Sequence, residues 1–264
     1  MKLFRITFRL MKLSYLALLA LVMTVYYSQT VSKTKPNVKL LAYRELWLQK
    51  VVRAIGLKVQ VIRHDKQTNN ESLDENDAID QRSALWVANH ISWMDIPLIG
   101  SQGVGFLSKA EVRKWPVLGW LGSKTGTVFI NRGGVNASQM AAKAIADNIL
   151  DGDNVLVFPE GTTGSGENVN RFHARIFAPA LEHQLLIQPI AIQYLDDHGQ
   201  LHPKASWHNQ HFMSNLLGVL AQPQIHAVLT FLPMIDAQQF SQRRHVAETA
   251  ENHIRNIVEA NEAL

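Results

Sequence analysis

The stretch ALWVANHISWMD, residues 84–95, decides the fold class of this 264-residue chain. Its first five residues are apolar and predict a strand that ends near Asn89. The residues that follow, from Asn89 to Asp95, predict a turn into a helix. The same alternation of apolar strands with helical segments continues from residue 57 onward, which is typical of an α/β sheet domain.

Outward from this stretch, period and composition predict the remaining elements. Helices are expected over residues 137–150, 174–183 and 242–264, and the polar, acidic residues 64–82 are expected to form a solvated loop. We assign residues 57–264 to one catalytic domain. The seven predicted strands are residues 59–63, 84–89, 105–108, 127–131, 154–158, 187–194 and 227–232.

The N-terminal region is predicted to associate with a membrane. Residues 13–27, LSYLALLALVMTVYY, carry no charge, although such a helix rises only about 22 Å against a hydrocarbon core of about 30 Å. A membrane anchor is favoured over a buried core helix, and over a signal peptide because no small-residue cleavage site follows. Residues 40–55 predict an amphipathic helix that either packs on the domain or lies in the membrane interface. Residues 1–56 are therefore assigned to membrane-anchoring helices.

The charge distribution indicates a lipid surface as partner and no nucleic acid. The net charge is +4, yet residues 1–58 hold 11 lysines and arginines against one acidic residue, Glu45. These basic residues flank an apolar segment, which favours an anionic lipid surface, whereas nucleic-acid binding would place them on the folded domain. Because a basic N-terminus stays cytoplasmic, one full span would export everything after it. We predict instead the inner (plasma) membrane as the location, with the active site facing the cytoplasm. The first helix would then enter one leaflet and return with the second.

His90 and Asp95 lie five positions apart across the predicted turn. Across a turn, the carboxylate can fold back onto one imidazole nitrogen and leave the other nitrogen unprotonated and directed toward solvent or substrate. This is the arrangement of a general base and its orienting partner; the alternative is a histidine that caps a helix with an aspartate in its first turn. Because the chain has no cysteine and no glycine elbow flanks Ser92, the acceptor's own hydroxyl is the expected nucleophile.

Three later blocks of sequence are also informative. Two of them carry groups that can bind an anion, and the third is a strand that contains a proline. TVFINRGG (residues 127–134) ends a strand in Arg132, which can grip a phosphate bidentately or form a surface salt bridge. VLVFPEGTTGSG (residues 155–166) leads a strand into a loop whose backbone N–H groups can face an anion. Glu160 at the end of that strand needs a partner, for which Arg132 is expected. IQPIAI (residues 187–192) contains a proline, which predicts an edge strand or a bulge.

In this order, the four blocks resemble the four motifs of the 1-acylglycerol-3-phosphate acyltransferase family, within the glycerolipid acyltransferases. NHISWMD is similar to the family's NHxSxxD block, GTVFINRG to its FI(D/N)R block, VFPEGTTGSG to its FPEGTxS block and IQPIAI to its proline strand. The resemblance covers about residues 84–194, including KAEVRKWPVLGWLG at 109–122. It implies a mixed, mostly parallel sheet flanked by helices, preceded by an N-terminal membrane-associated helical segment.

The resemblance also implies a role for each matched position. It makes His90 the general base on the acceptor hydroxyl and Asp95 its orienting partner. It implies no metal and no bound cofactor, with acyl-CoA or acyl carrier protein as co-substrate. The resemblance implies that Arg132 meets a phosphate and that Pro189 shapes the acyl-donor side. The full set of implied substrate-binding residues is Arg132, Glu160, Gly161, Thr162 and Pro189.

One position departs from the family pattern, because Thr163 stands where arginine often follows Gly-Thr. The missing cation weakens the case for a phosphomonoester headgroup, since charge-assisted hydrogen bonds are stronger than neutral ones. We predict transfer of a fatty acyl group to the sn-2 hydroxyl of a lysophospholipid, with 1-acylglycerol 3-phosphate as the main candidate. The alternatives are another lysolipid such as a lyso-aminolipid, a catalytically silent lipid-binding protein, and a hydrolase that releases the acyl group to water.

Overall fold

The computed structural model describes residues 1–29, 38–64, 83–109, 111, 114, 122, 127–130 and 137–260. Two helices open the chain, and strands alternate with helices after them. The helices are α1 (Lys2–Gln29), α2 (Val38–Ile55), α3 (Asp95–Gly100), α4 (Ala137–Leu150), α5 (Ala178–Glu182), α6 (Phe212–Ala221) and α7 (Arg243–Val258). The strands are β1 (Leu57–Arg63), β2 (Ala84–Ala88), β3 (Gly105–Lys109), β4 (Val128–Ile130), β5 (Val155–Val157), β6 (Leu186–Leu195), β7 (Ile225–Phe231) and β8 (Ile235–Asp236).

The described strands form one sheet with the order β1-β7-β6-β2-β5-β3-β4, and β8 pairs with β6 outside this path. Five of the strand pairings are parallel, and the two antiparallel pairings join β6 to β7 and to β8. The predicted α/β fold with a mixed, mostly parallel sheet is therefore confirmed. Each of the seven predicted strands is present within two residues of its predicted ends.

Strand β2 lies at the centre of the sheet and is buried on both faces, which explains its uninterrupted apolar run. Leu85 and Val87 point into a core shared with α4 and α7. Trp86 and Ala88 point into the opposite core, shared with α2 and α3. Because side chains alternate between the two faces of a strand, both layers of helices are anchored on the strand that leads to His90.

Of the two alternatives predicted from Pro189, the edge strand is wrong, whereas the bulge is supported by the strand pairings. Between the pairs Ile190–Phe231 and Ile187–Ile235, two residues of β6 face three residues of the partner segment. Strand β6 lies inside the sheet, and Pro189 pairs with Val87 of β2. On the opposite side, the Pro189 carbonyl accepts from the Leu232 N–H at 3.0 Å, where β7 has ended and β8 has not begun. The nitrogen of a strand residue faces the same side as its carbonyl. The missing N–H of proline therefore falls in a gap between two neighbouring strands, and no ladder hydrogen bond is lost.

Helices α1 and α2 form an antiparallel hairpin. The indole N–H of Trp47 in α2 donates to the carbonyl of Leu16 in α1 at 2.7 Å. Gly56, directly after α2, lies beside the guanidinium of Arg9, near the start of α1. The first contact joins the middles of the two helices, and the second joins the end of α2 to the beginning of α1. The chain therefore runs outward along α1 and returns along α2.

Helix α1 is longer than the uncharged segment predicted at residues 13–27, because it continues without a break through Lys12. Its residues Lys2–Met23 are long and apolar enough to cross a membrane by length and composition, and few of them are buried. The buried residues of α1 include Leu16 and Ala20. Helix α1 therefore packs on the protein along one side and exposes apolar side chains on the others.

Helix α2 packs on the domain, which is one of the two arrangements considered for it. Leu48, Val52 and Ile55 are buried, and the last two belong to the core that α3 shares. Strand β1 begins at Leu57, directly after this helix. The residues that follow α2 thus enter the sheet without a linker.

Two described elements are not indicated by the sequence patterns: the helix α6 and the two-residue strand β8. Helix α6 is apolar around most of its circumference and lacks the polar face that marks a surface helix in a sequence. Helix α7 ends at Val258 and not at the predicted 264; residues 261–264 lie outside the described part of the chain. Residues 65–82, most of the predicted acidic loop, also lie outside it.

Candidate active site

Asn89 continues the pairing of β2 with β6 through its side chain, directly beyond the end of the strand. The Asn89 amide group donates to the carbonyl of Ile192 at 3.0 Å, and the amide oxygen accepts from the Ile192 N–H at 2.8 Å. These bonds satisfy the groups that a further strand residue would have paired. The backbone can therefore leave the sheet at Asn89 while His90 keeps a defined position beside β6.

The structure brings His90 and Asp95 together. The Nδ1 atom of His90 lies 2.7 Å from Oδ2 of Asp95, the first residue of α3. The imidazole ring stacks on Phe158, with ring centroids 4.1 Å apart and an interplanar angle of 15°. Asp95 is fully buried, whereas the His90 side chain remains 17% exposed. A carboxylate at Nδ1 holds the proton on that nitrogen, so that Nε2 carries the lone pair.

Asp95 is held by donors from two strand ends. Its Oδ2 atom also accepts from the N–H groups of Ile91 and Ser92, at 2.7 and 2.9 Å. Its Oδ1 atom accepts from the hydroxyl of Tyr194 in β6, at 2.7 Å. Burial raises the pKa of Tyr194 well above its ordinary value, and the nearby Asp95 carboxylate raises it further. Tyr194 therefore stays protonated and serves only as a donor to Asp95.

The backbone of His90 is fixed on both sides. Its N–H donates to Oε1 of Glu160 at 2.7 Å, and its carbonyl accepts from the Gly164 N–H at 2.7 Å. The other Glu160 oxygen accepts from the Asn170 N–H at 3.0 Å. Burial raises the pKa of Glu160 above its ordinary value, although the hydrogen bonds from His90 and Asn170 oppose that rise. Glu160 thus ties the loop after β5 to the turn after β2.

A pocket of about 530 Å³ opens in front of His90. Gly161 at its wall has a φ of +73°, a conformation that favours glycine, and a Cβ there would come within 3.3 Å of the His173 ring. Among the described residues, those lining the pocket include no lysine or arginine. They are His90, Gly161, Thr162, Thr163, Trp207, Asn209, Gln210 and His211.

Comparisons with known proteins identify the family of this chain. A family model described as Acyltransferase matches residues 68–193. A 1-acyl-sn-glycerol-3-phosphate acyltransferase of Neisseria gonorrhoeae is 30% identical over 175 residues, which cover 66% of this chain and 69% of that protein. The chain belongs to the acyltransferase family. The resemblance drawn from the four sequence blocks is thereby confirmed.

Two further proteins are similar to this acyltransferase-family chain. A lyso-ornithine lipid O-acyltransferase of Pseudomonas aeruginosa is 52% identical over 114 residues, which cover 43% of the chain. The chain spans 44% of the length of that relative. The fold is similar to that of the 1-acyl-sn-glycerophosphate (LPA) acyltransferase PlsC from Thermotoga maritima, with a TM-score of 0.64 and 23% identity over 100% of this chain and 99% of that one.

The predicted site residues do not all reach the pocket. His90, Gly161 and Thr162 line it, and Asp95 stands behind His90. Glu160 and Pro189 are buried, and neither lines the pocket. Their carboxylate and carbonyl oxygens bond to backbone N–H groups of the protein itself. Arg132, the predicted phosphate contact and partner of Glu160, lies outside the described residues.

Several residues of the candidate site were not predicted. Tyr194 lies 99 positions from Asp95, and the contact follows from the pairing of β6 with β2. Trp207 and His211 reach the pocket from the segment between β6 and α6. Asn89 offered a local signal, since a polar amide at the end of a buried strand needs partners.

Proposed function

We propose that this protein transfers a fatty acyl group from a thioester donor to the hydroxyl of a lysolipid, with His90 as the general base. The observation that carries the proposal is the 2.7 Å contact between His90 Nδ1 and the fully buried Asp95 carboxylate, behind an open pocket. Among the described residues, none forms a hydrogen bond to His90 Nε2. That atom is therefore available to the substrate hydroxyl.

The reaction needs only one proton-transferring side chain. Nε2 of His90 takes the proton from the acceptor hydroxyl as its oxygen attacks the thioester carbonyl. The tetrahedral intermediate collapses, the carbon–sulfur bond breaks, and the imidazolium returns the proton to the thiolate. Asp95 holds the Nδ1 proton throughout and stabilises the imidazolium by its charge.

The oxyanion of the intermediate requires hydrogen-bond donors, and the first N–H groups of the turn after His90 are already engaged. The N–H groups of Ile91 and Ser92 already donate to Asp95, and the N–H of Gly164 donates to the carbonyl of His90. Thr162 and Thr163 line the pocket beside His90. Their hydroxyl groups are the donors that we assign to the oxyanion or to the acceptor headgroup.

For the acceptor we favour a lyso-ornithine lipid, whose headgroup carries one positive and one negative charge. We favour it over 1-acylglycerol 3-phosphate, whose phosphate is dianionic. The described pocket lining contains neutral polar residues and histidines without lysine or arginine. Thr163 stands at a position where many family members supply a cation. The 52% identity to the Pseudomonas lyso-ornithine lipid O-acyltransferase supports the same choice. Arg132 is the residue that favours the phosphate.

The donor is proposed to be acyl-CoA or acyl carrier protein, reached from the cytoplasmic side of the inner membrane. Arg5 and Arg9 of α1 bond to carbonyls of the catalytic domain, so the basic start of α1 lies on the same side as the pocket-bearing domain. The antiparallel return of α2 supports a hairpin that dips into one leaflet. Basic residues at the start of a membrane helix favour the cytoplasmic side.

The proposal is tested with the purified full-length chain in detergent, given labelled acyl-CoA or acyl carrier protein and a panel of lysolipids that includes both acceptors. A diacylated product is expected, with lyso-ornithine lipid used in preference to 1-acylglycerol 3-phosphate. His90→Ala is expected to reduce turnover by at least about 10²–10⁴-fold, the usual contribution of a general base.

The matched control is His183→Ala, which removes an exposed histidine outside the pocket. It is expected to retain wild-type turnover. Free fatty acid as the main product would indicate a hydrolase, and lipid binding without turnover would indicate a silent binding protein. Either result would overturn the proposal, as would a His90→Ala variant with more than a small fraction of the wild-type rate.

A further inference from the structure

Helix α6 is an uncharged helix on the surface of the domain. Its sequence, FMSNLLGVLA, contains no acidic or basic residue. Three of its large apolar side chains are exposed: Phe212 by 44%, Met213 by 60% and Leu217 by 39%. Met213 and Leu217 are four positions apart and so share one face of the helix. Single exposed apolar residues are ordinary on protein surfaces, but an exposed face without any charge is not.

The end of α6 is capped by two arginines from α1. Arg5 donates to the carbonyl of Ala221 at 2.6 Å. Arg9 donates to the carbonyls of Leu220 at 3.1 Å, Gln222 at 2.8 Å and Pro223 at 2.9 Å. The last carbonyls of a helix have no partner within the helix and otherwise need water. With these arginines in place, the end of α6 can lie where water is scarce.

The exposed face of α6 continues the exposed surface of α1. The two helices are in contact, and α1 exposes apolar side chains along most of its length, among them Phe4, Phe8, Met11 and Leu18. Lysines and arginines accompany these apolar residues near the start of α1. This combination of apolar and basic groups fits an anionic lipid surface and does not fit a protein partner of mixed charge.

The start of α6 adjoins the mouth of the pocket. Phe212 follows His211, which lines the pocket, and its ring packs edge-on against Trp93 and Trp207, at centroid distances of 6.0 and 5.6 Å. Both tryptophans are half-buried, and Trp207 lines the pocket. Tryptophan rings are enriched at the boundary between membrane and water. The pocket therefore opens beside the apolar helix and not away from it.

We propose that α6 inserts into the lipid bilayer next to α1, so that the pocket of His90 opens at the membrane surface. The headgroup of a lysolipid then enters the pocket while its acyl chain stays among the lipids beneath Met213 and Leu217. A helix that lies in the membrane interface buries its apolar face about 5–10 Å into the boundary of headgroups and acyl chains. This inference rests on the proposed membrane attachment of α1 and adds a second point of contact.

The chain has no cysteine, so a single introduced cysteine carries the only label. Met213→Cys and Leu217→Cys are labelled with an environment-sensitive nitrobenzoxadiazole dye. The labelled full-length proteins are then reconstituted into vesicles of phosphatidylcholine and phosphatidylglycerol. Blue-shifted emission is expected at both positions, together with loss of most of the fluorescence when doxyl-labelled phosphatidylcholine is included. Met140→Cys and Leu150→Cys on α4 are the matched controls, because both native side chains are more exposed than Met213.

The controls are expected to show water-like emission and little quenching. Leu18→Cys reports on α1. Quenching at Leu18 without quenching at Met213 and Leu217 would overturn the insertion of α6 and leave the membrane attachment intact. Absence of quenching at all three positions would overturn both. A blue shift without quenching by the doxyl lipid would place α6 against protein, which also contradicts the inference.

Discussion

The hydroxyl of Tyr194 donates to Oδ1 of Asp95 at 2.7 Å, while His90 Nδ1 contacts the other oxygen of the same carboxylate at the same distance. Tyr194 is buried in β6, which neighbours the central strand β2, and Asp95 opens α3 beyond the end of β2. The carboxylate that orients the proposed base is therefore itself oriented by the sheet. Tyr194 acts on the reaction only through Asp95, as a positioning residue.

Replacing Tyr194 by phenylalanine keeps the ring in the core and removes one donor from Asp95. We expect a loss of about 1–3 kcal/mol in the free energy of unfolding, because a buried carboxylate oxygen loses its partner. We also expect kcat to fall by about tenfold, equivalent to about 1.4 kcal/mol, with KM unchanged. Thermal unfolding in detergent and steady-state kinetics provide the measurements. Tyr15→Phe on the exposed face of α1 is the control, and a rise in KM with normal kcat would contradict the positioning role.

The raised pKa of Glu160 has a consequence for stability. In the folded protein this group keeps its proton to higher pH than in the unfolded chain, where its pKa is near the ordinary value of 4.5. As pH rises from that value, the unfolded chain releases the proton first, so the stability contributed by Glu160 falls. The free energy of unfolding of wild type minus that of Glu160→Gln should therefore decrease with rising pH and then level off.

Denaturation of the two proteins at a series of pH values measures this difference. Glu167→Gln, at an exposed position in the same loop, is expected to show no such trend. A difference that increases with pH would show that the fold prefers the ionised form of Glu160. In that case the hydrogen bonds from His90 and Asn170 would outweigh burial.

Gly56→Ala is expected to loosen the contact between α1 and the domain. Gly56 has a φ of +99°, and an added Cβ would overlap the Arg9 guanidinium, which holds the end of α6. Gly152→Ala is a matched control, since Gly152 has a φ of +102° and no atom lies within 4 Å of its Cβ position. Both variants bear the cost of the left-handed backbone, about 1–2 kcal/mol.

Only Gly56→Ala should carry an additional loss of about 1–3 kcal/mol, from displacement of the charged Arg9 hydrogen bonds. Unfolding measurements in an Arg9→Ala background separate the two contributions. There, the two glycine substitutions should cost the same. An excess that persists without Arg9 would show that another neighbour of Gly56 is responsible.

Thr163→Arg is expected to shift the acceptor preference toward 1-acylglycerol 3-phosphate. A cation in the pocket can form charge-assisted hydrogen bonds to a phosphate, worth about 1.5–3 kcal/mol. The ratio of kcat/KM for 1-acylglycerol 3-phosphate to that for lyso-ornithine lipid should therefore rise by about tenfold or more. Ser241→Arg adds the same charge at an exposed site outside the pocket and should leave the ratio unchanged. An unchanged ratio for Thr163→Arg would show that this position does not meet the headgroup.

Local patterns predict the elements that are defined by their own residues. The seven strands are recognised because each is a short apolar run bounded by polar or turn residues. Helix α6 is missed because it is short and contains no charged residue that would mark a solvent-facing side. The interior position of Pro189 is also missed, since an interior strand tolerates proline only where two neighbouring strands leave a gap, and the neighbours are not visible in the local sequence.

The strand, turn and helix that carry His90 and Asp95 follow from the sequence alone. Only four residues separate the two side chains, and the end of a strand restricts where they can lie. The family also follows from the sequence, through four blocks in order. The tertiary structure alone decides that Tyr194 completes the site, that Glu160 bonds to backbone instead of facing the pocket, and that α6 lies beside α1. Each of these contacts joins segments far apart in the chain, and strand order and helix packing, which no local pattern encodes, determine which segments meet.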